Sequence, residues 1–218
     1  MRRARVVVLI SGGGSNLQTL IDAAKRSECA YEIVFVISNR PGVGGLDRAT
    51  NSGIGNQAID HKAYLDRTSF EADLATCIDA AKPDFVVCAG FMRVLTETFV
   101  ARYEGRLINI HPSLLPNFRG LHTHARAIEA GVEFAGCTVH WVSAGVDEGA
   151  IIGQAIVNVV PGDTPGQLAA RVLVQEHRLY PACLQAVASQ RAIFSAGQTL
   201  LDGKPGALAM LPDGTIVD

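Results

Sequence analysis

The segment from residue 108 to residue 116 reads Ile-Asn-Ile-His-Pro-Ser-Leu-Leu-Pro. Its apolar start, with Leu107 before it, is typical of the end of a buried strand. Pro112 cannot donate a hydrogen bond to a neighbouring strand and keeps His111 extended, so the strand is expected to end there. Because side chains alternate along a strand, Asn109 and His111 should project from one face of its carboxyl end. Ligands of open parallel α/β sheets bind at this end.

An amide and an imidazole held there on a stiff backbone suit the stabilisation of an oxyanion and the donation of a proton. The alternative is a structural role, in which Asn109 completes a turn and His111 lies on the surface. The segment alone does not decide between the two.

The composition is that of an ordinary globular protein. The chain has 218 residues, of which 48% are hydrophobic and 18% charged, enough for one large domain or two small ones. The formal net charge of −2 gives no general attraction to nucleic acid or to an acidic membrane. We therefore expect small-molecule substrates and neither a nucleic-acid nor a membrane partner.

The cysteines and the amino terminus indicate the cellular compartment of the protein. Five cysteines are scattered without a C-x-x-C pair, which favours buried thiols in a reducing compartment over disulfides or a zinc site. The apolar run after the basic first residues is too short for a signal peptide. No apolar run approaches the ~20 residues that span a bilayer. These features predict a cytoplasmic protein.

Strand and helix patterns alternate along the chain. This order predicts an α/β fold with a doubly wound, mostly parallel, Rossmann-like sheet. The strand at 150–159 follows the one at 137–142 closely, which indicates a hairpin and an antiparallel carboxyl-terminal edge. We expect a single domain, with a phosphate-binding half up to about residue 105, a catalytic half from 106 to 190 and a weakly patterned tail from 191 to 218. Capping boxes are predicted at Ser15–Gln18, Thr68–Glu71 and Thr164–Gln167.

The glycines at positions 12–14 follow the first strand and precede a helix. Leu17 occupies the third glycine position of a dinucleotide fingerprint, and the second strand has no acidic residue at its end, so a dinucleotide site is disfavoured. The Gly-Lys-Ser/Thr of a P-loop is also missing. Free N–H groups of Gly14, Ser15 and Asn16 at a helix N-terminus would suit one phosphate monoester. A tight strand-to-helix turn is the alternative.

His111, His122 and His124 lie close together in the sequence. No cysteine or carboxylate stands beside them at ligand spacing, so we expect no metal. His140 and His177 are expected to be structural.

Asp147 lies in a turn after a strand and is the expected partner of His111. A carboxylate beside an imidazole stabilises the charged, proton-donating ring. By itself, however, Asp-Glu-Gly is ordinary turn chemistry.

Six motifs occur in an order that resembles the phosphoribosylglycinamide formyltransferase family, folate-dependent enzymes of de novo purine synthesis. They are SGGGSN at 11–16, AGFMR at 89–93, NIHPSLLP at 109–116, GLHTH at 120–124, DEG at 147–149 and QEH at 175–177. The resemblance covers nearly the whole chain apart from the last ~25 residues. The HPSLLP segment alone is shared with other 10-formyltetrahydrofolate enzymes. The triple-glycine loop, GLHTH and the short length indicate this family.

The resemblance implies an enzyme that moves the formyl group of 10-formyltetrahydrofolate, a co-substrate, to the amine of glycinamide ribonucleotide. It implies no metal, and it leaves open whether the protein forms a homodimer. Gly13 departs from the asparagine often found in relatives, which leaves the backbone role of the loop intact. The residues that the resemblance assigns are Asn109, His111 and Asp147 for catalysis, Gly14, Ser15, Asn16 and Glu176 for the ribonucleotide, and Arg67, Met92, Arg93, Val94, Leu95 and Asn109 for folate.

Three other functions would require features that differ from those of this sequence. A methionyl-tRNA formyltransferase would need a further carboxyl-terminal β domain and a basic surface. A formyltetrahydrofolate hydrolase would carry a regulatory domain before the first strand, which here begins near Arg5. A non-catalytic nucleotide-binding module would have no reason to place Asn109, His111 and Asp147 at one sheet edge. A formyl transfer assay with and without glycinamide ribonucleotide separates these functions.

Overall fold

The computed structural model describes residues 2–217. They divide into two compact units, one up to Asn109 and one from Ile110 onward. Among the helices of this described part, none combines the length and the apolar character that crossing a membrane would require.

The first unit is a parallel α/β layer. The strand β1 pairs in parallel with β2 and β4, β2 pairs with β3, and β4 pairs with β5, which gives the order β5-β4-β1-β2-β3. A short 3-10 helix spans His61–Ala63. The elements are β1 Ala4–Ile10, α1 Ser15–Ala24, β2 Tyr31–Ser38, α2 Gly44–Asn51, β3 Asn56–Ala58, α3 Arg67–Ala80, β4 Phe85–Cys88, α4 Glu97–Arg102 and β5 Leu107–His111.

Burial explains why β1 has an almost continuous apolar sequence. Val6, Val7, Val8, Leu9 and Ile10 are all fully buried, as is usual for a parallel strand covered on both faces. The alternation of strands and helices predicted from the sequence is confirmed, and element ends differ by only a few residues.

The second unit is mixed. The predicted hairpin is confirmed, since β6 and β7 pair in antiparallel fashion, whereas β11 pairs with β7 in parallel and with β12 in antiparallel fashion. The elements are α5 Thr123–Glu129, β6 Phe134–Trp141, β7 Ile151–Asn158, α6 Pro165–Ala188, β8 Ala192–Ser195, β9 Gln198–Leu201, β10 Lys204–Pro205, β11 Leu208–Met210 and β12 Ile216–Val217. The tail after α6 thus carries strands that its weak sequence pattern did not predict. Three of them, β8, β9 and β10, form a small antiparallel sheet.

Two of the three predicted capping boxes are wrong. At α1, Gly14 takes the N-cap position in the left-handed conformation (φ 71°), so Ser15 is already helical and no side chain caps the helix. At α3, the side chain of Asp66 accepts the N–H of Ser69 and thus caps the helix one residue before Arg67. The box at Thr164 is confirmed in both directions, with Pro165 opening the helix.

The hydroxyl of Thr138 holds the turn that follows β5. Thr138 is opposite Gln154 in the hairpin and is fully buried. Its hydroxyl donates to the carbonyl of Ser113 at 2.7 Å and accepts the N–H of Leu115 at 3.0 Å and the amide of Gln154 at 2.9 Å. One side chain therefore satisfies two backbone groups of the turn, which leaves the HPSLLP segment little freedom to move.

Replacement of Thr138 by valine should lower the free energy of unfolding by at least about 2 kcal/mol. Valine keeps the shape but leaves buried polar groups without partners, each at a cost of roughly 1–3 kcal/mol. Urea denaturation measures the change. Thr76→Val is the matched control on the exposed face of α3, where the loss should stay within about 0.5 kcal/mol. Equal losses in the two variants would contradict the role given to Thr138.

Candidate active site

His111 is the last residue of β5, as the sequence predicted, and it is 6% exposed. Its Nδ1 lies 3.2 Å from Oδ2 of Asp147. Its Nε2 lies 3.1 Å from the carbonyl oxygen of Phe118. Both ring nitrogens therefore face acceptor oxygens, and only the doubly protonated, charged ring donates to both.

The carboxylate of Asp147 is surrounded by donors. Besides His111, the backbone N–H of Gly120 donates to its Oδ2 at 3.0 Å. Only 12% of the side chain is exposed, so these bonds replace most of its hydration. Asp147 itself adopts a left-handed backbone conformation (φ 53°), which aspartate tolerates better than most residues.

The loop between β6 and β7 needs a glycine directly after this acid. A Cβ atom on Gly149 would lie 1.6 Å from the carbonyl oxygen of Trp141, so no other residue fits. The Asp-Glu-Gly sequence therefore reflects more than turn preference, because its glycine lets the chain pass close to β6. Glu148 turns away to pair with Arg119 at 2.6 Å and remains half exposed.

His140, which the sequence pattern indicates to be structural, lies beside Asp147 in the structure. Its Nε2 lies 3.7 Å from Oδ1 of Asp147, and its Nδ1 donates to the carbonyl of Trp141 at 2.9 Å. Burial lowers the pKa of His140 below the usual range of histidine, and the hydrogen bond to Trp141 and the charge of Asp147 oppose this shift. Burial thus opposes the uptake of a proton by the imidazole that lies beside the carboxylate.

The other histidines of the region differ. His122 is exposed and takes the N-cap position of α5. His124 is half-buried, and its pKa is lowered by burial first and by nearby His111 second. Among residues 2–217, no three side chains of His, Cys, Asp or Glu are grouped as ligands of a metal ion would be.

The remaining residues assigned by sequence lie on β5, α1, α6 and α3 and in the connection from β4 to α4. Asn109 precedes His111 by two positions on β5 and so shares its face of the strand. Gly14, Ser15 and Asn16 form the N-terminus of α1, and a Cβ on Gly14 would lie 2.8 Å from Cα of Gly45. Glu176 is buried in the middle of α6. Arg67 is exposed at the start of α3, whereas Met92, Arg93, Val94 and Leu95 connect β4 to α4.

The geometry defines an α/β protein with a buried imidazole–carboxylate pair at the carboxyl end of a strand. A family model described as formyl transferase matches residues 4–184. This chain therefore belongs to the formyl transferase family.

Two full-length comparisons are close. The chain is 44% identical over 199 residues to phosphoribosylglycinamide formyltransferase of Escherichia coli K12, covering 91% of this chain and 94% of that protein. The solved structure of phosphoribosylglycinamide formyltransferase from Coxiella burnetii superposes with a TM-score of 0.90 at 46% identity, covering 94% of this chain and 97% of that one.

Longer relatives contain a similar segment. The human trifunctional purine biosynthetic protein adenosine-3 is 47% identical over 188 residues, which is 86% of this chain but 19% of that protein. The chain spans 14% of the Drosophila melanogaster protein of the same name.

The lowered pKa of His140 predicts a pH dependence of stability. The unfolded chain binds a proton at His140 near pH ~6.5, whereas the folded chain binds it only at lower pH. The free energy of unfolding should therefore fall as the pH drops below ~6.5 and stop falling, for this group, below its folded pKa. In His140→Asn the slope in this window should be smaller by up to about 1.4 kcal/mol per pH unit. Urea denaturation between pH 5 and 7.5 measures it, and parallel curves for both proteins would contradict the assignment.

Proposed function

We propose that this chain transfers the formyl group of 10-formyltetrahydrofolate to the primary amine of glycinamide ribonucleotide. The products are formylglycinamide ribonucleotide and tetrahydrofolate, in de novo purine synthesis. The observation that carries the proposal is the His111–Asp147 pair at the end of β5, in a chain that matches phosphoribosylglycinamide formyltransferases over nearly its full length. The five cysteines, all in the described part of the chain, form no disulfide with one another, which agrees with a reducing compartment such as the cytoplasm.

The reaction begins when the amine attacks the formyl carbon and the formyl oxygen gains negative charge. Asn109 and charged His111 donate hydrogen bonds to this oxygen. In the structure, Nε2 of His111 donates to the carbonyl oxygen of Phe118. The substrate oxygen replaces this carbonyl during the reaction.

Asp147 fixes the ring of His111 through Nδ1, so that Nε2 stays aimed at the reacting oxygen. Collapse of the tetrahedral intermediate breaks the bond to N10 of the folate, and His111 or an ordered water supplies the proton to N10. The attacking amine loses one proton as it becomes the formamide, and this proton restores the donor, so that the transfer balances. No step requires a metal, because the hydrogen bonds replace a Lewis acid.

Binding roles follow from the positions of the remaining residues. The N-terminus of α1 at Gly14, Ser15 and Asn16 binds the phosphate of the ribonucleotide through backbone N–H groups of the first helical turn and the helix dipole. Glu176 accepts hydrogen bonds from ribose hydroxyls. The segment Met92, Arg93, Val94 and Leu95 binds the folate together with Arg67 and Asn109.

The decisive experiment is the release of tetrahydrofolate by the purified protein with and without glycinamide ribonucleotide. Release that depends on the ribonucleotide supports the proposal. Release at the same rate without it would instead identify a formyltetrahydrofolate hydrolase, in which water is the acceptor.

The phosphate role of α1 can be tested with Ser15→Asp. A carboxylate at the first turn favours the helix but repels a bound phosphate. The KM for glycinamide ribonucleotide should rise by about tenfold or more, with the KM for the folate nearly unchanged. Gly166→Asp places the same charge in the first turn of α6, at a position with open space, and serves as the control. Equal increases of both KM values in Ser15→Asp would refute the assignment.

The role of Asp147 can be tested with Asp147→Asn, which keeps the size of the side chain but removes its charge. We expect kcat to fall by roughly 10²-fold, comparable to the loss of one oxyanion donor. Glu148→Gln is the adjacent control and should retain activity within about twofold, because Glu148 is half exposed and its ion pair with Arg119 lies at the surface.

A double variant shows whether His111 and Asp147 act together or contribute to kcat independently. The double variant His111→Ala/Asp147→Asn should be little worse than His111→Ala alone. A loss equal to the product of the single losses would show that Asp147 does not act through His111.

A further inference from the structure

The connection from β4 to α4 contains a short segment, residues 92–95, which we call the donor loop. Met92 and Val94 are 67% and 55% exposed, so the burial of these two apolar side chains does not hold the loop in place. It has no helical or strand structure. Its conformation therefore depends on how its two ends are fixed.

The first end is fixed by Ser11. The N–H of Met92 donates to the hydroxyl oxygen of Ser11 at 2.7 Å. Because that oxygen accepts from Met92, its own proton goes to Oδ1 of Asn39, at 2.6 Å. Ser11 and Asn39 are 3% and 2% exposed, so water does not compete for these bonds. One hydroxyl thus joins the chain segments that follow β1, β2 and β4.

The second end is fixed by Glu71 of α3. This carboxylate is 5% exposed and accepts the N–H of Thr96 at 2.9 Å and the hydroxyl of Thr96 through its other oxygen. Thr96 is the N-cap of α4, where the helix dipole favours a negative charge. The same Thr96 hydroxyl accepts the N–H of Phe99. Glu71 therefore ties the end of the donor loop to the start of a helix.

We propose that Ser11 and Glu71 are positioning residues of the transfer reaction, and that Ser11 positions two loops whereas Glu71 positions one. Glu71 fixes the donor loop alone. Ser11 also begins the glycine loop, residues 11–16, so it fixes the donor loop and the phosphate-binding N-terminus of α1 relative to each other. This inference rests on the proposed function, which assigns the first loop to folate and the second to the ribonucleotide phosphate.

The test is a comparison of both KM values in Ser11→Ala and Glu71→Gln. Ser11→Ala removes the shared hydroxyl, so the KM values for the folate and for the ribonucleotide should each rise by roughly three- to tenfold. Glu71→Gln weakens only the hold on Thr96, so the folate KM should rise by about tenfold while the ribonucleotide KM stays within about twofold. Ser27→Ala and Glu97→Gln, both at exposed positions, are the matched controls.

Two conservative substitutions of Thr96 provide a second test in case Glu71→Gln folds poorly. Thr96→Ser retains the hydroxyl and should keep the wild-type folate KM, whereas Thr96→Val retains the shape without the hydroxyl and should raise it. Thermal unfolding of each variant separates a general loss of stability from a change at the loop.

Three results would overturn the inference. They are an increase in both KM values in Glu71→Gln, an increase in only one KM value in Ser11→Ala, or losses confined to kcat.

The outcome is distinct from failure of the proposed function. If the wild-type chain releases no tetrahydrofolate in response to glycinamide ribonucleotide, the proposed function fails. If it does, and Ser15→Asp raises only the ribonucleotide KM, a negative result at Ser11 and Glu71 concerns positioning alone.

Discussion

The charge of Asp147 is the constraint on which the geometry around His111 depends. A carboxylate with 12% exposure has lost most of its water and must be compensated within the protein. Removing one partner of such a buried pair typically costs roughly 3–5 kcal/mol. The N–H of Gly120 and the imidazole of His111 supply that compensation. The same bonds that stabilise this buried charge therefore also hold His111 in the orientation that the proposed transfer requires.

The turn after β5 makes this pairing possible. His111 ends its strand because Pro112 follows it, and the turn is then bonded to the hairpin through Thr138 and Gln154. Side-chain bonds to backbone carbonyls and N–H groups restrict the turn on both sides, so His111 has a rigid base. A catalytic group misplaced by about 1 Å can lose roughly 10²-fold in rate, so this rigidity bears directly on function.

Much of the fold could be predicted from the sequence because the signals were periodic or tied to proline. The buried run of β1, the hairpin of β6 and β7 and the capping box at Thr164 all follow from such patterns. The box at Ser15 failed because a left-handed glycine took the cap position, which a spacing rule does not detect. The box at Thr68 failed because Asp66 is a better-placed acceptor and Glu71 is engaged by Thr96. The strands of the tail are short, and pairing partners rather than their own sequence define them.

The side-chain pair of the candidate site could be predicted from the sequence, whereas the backbone groups around it could not. The pairing of His111 with Asp147 was expected from their placement after strands, and the structure places them in contact. The backbone groups of Gly120 and Phe118 could not be inferred, because every residue carries them and only the fold selects which ones approach. The position of His140 beside Asp147 could not be inferred for a related reason. Alternation along β6 indicates that it is buried, but not which polar group it faces.

The donor loop, residues 92–95, shows how an exposed loop can have a fixed backbone conformation. Met92 and Val94 expose apolar surface to the solvent, which costs free energy that a folate bound as proposed would recover by covering them. Burial of these two side chains therefore does not order the loop before such a ligand binds. Hydrogen bonds at its ends from buried groups supply the order instead, because bonds shielded from water hold their geometry without covering the surface between them. Such an arrangement leaves the side chains of the loop free for a ligand while its backbone is already set, which reduces the entropy lost on binding.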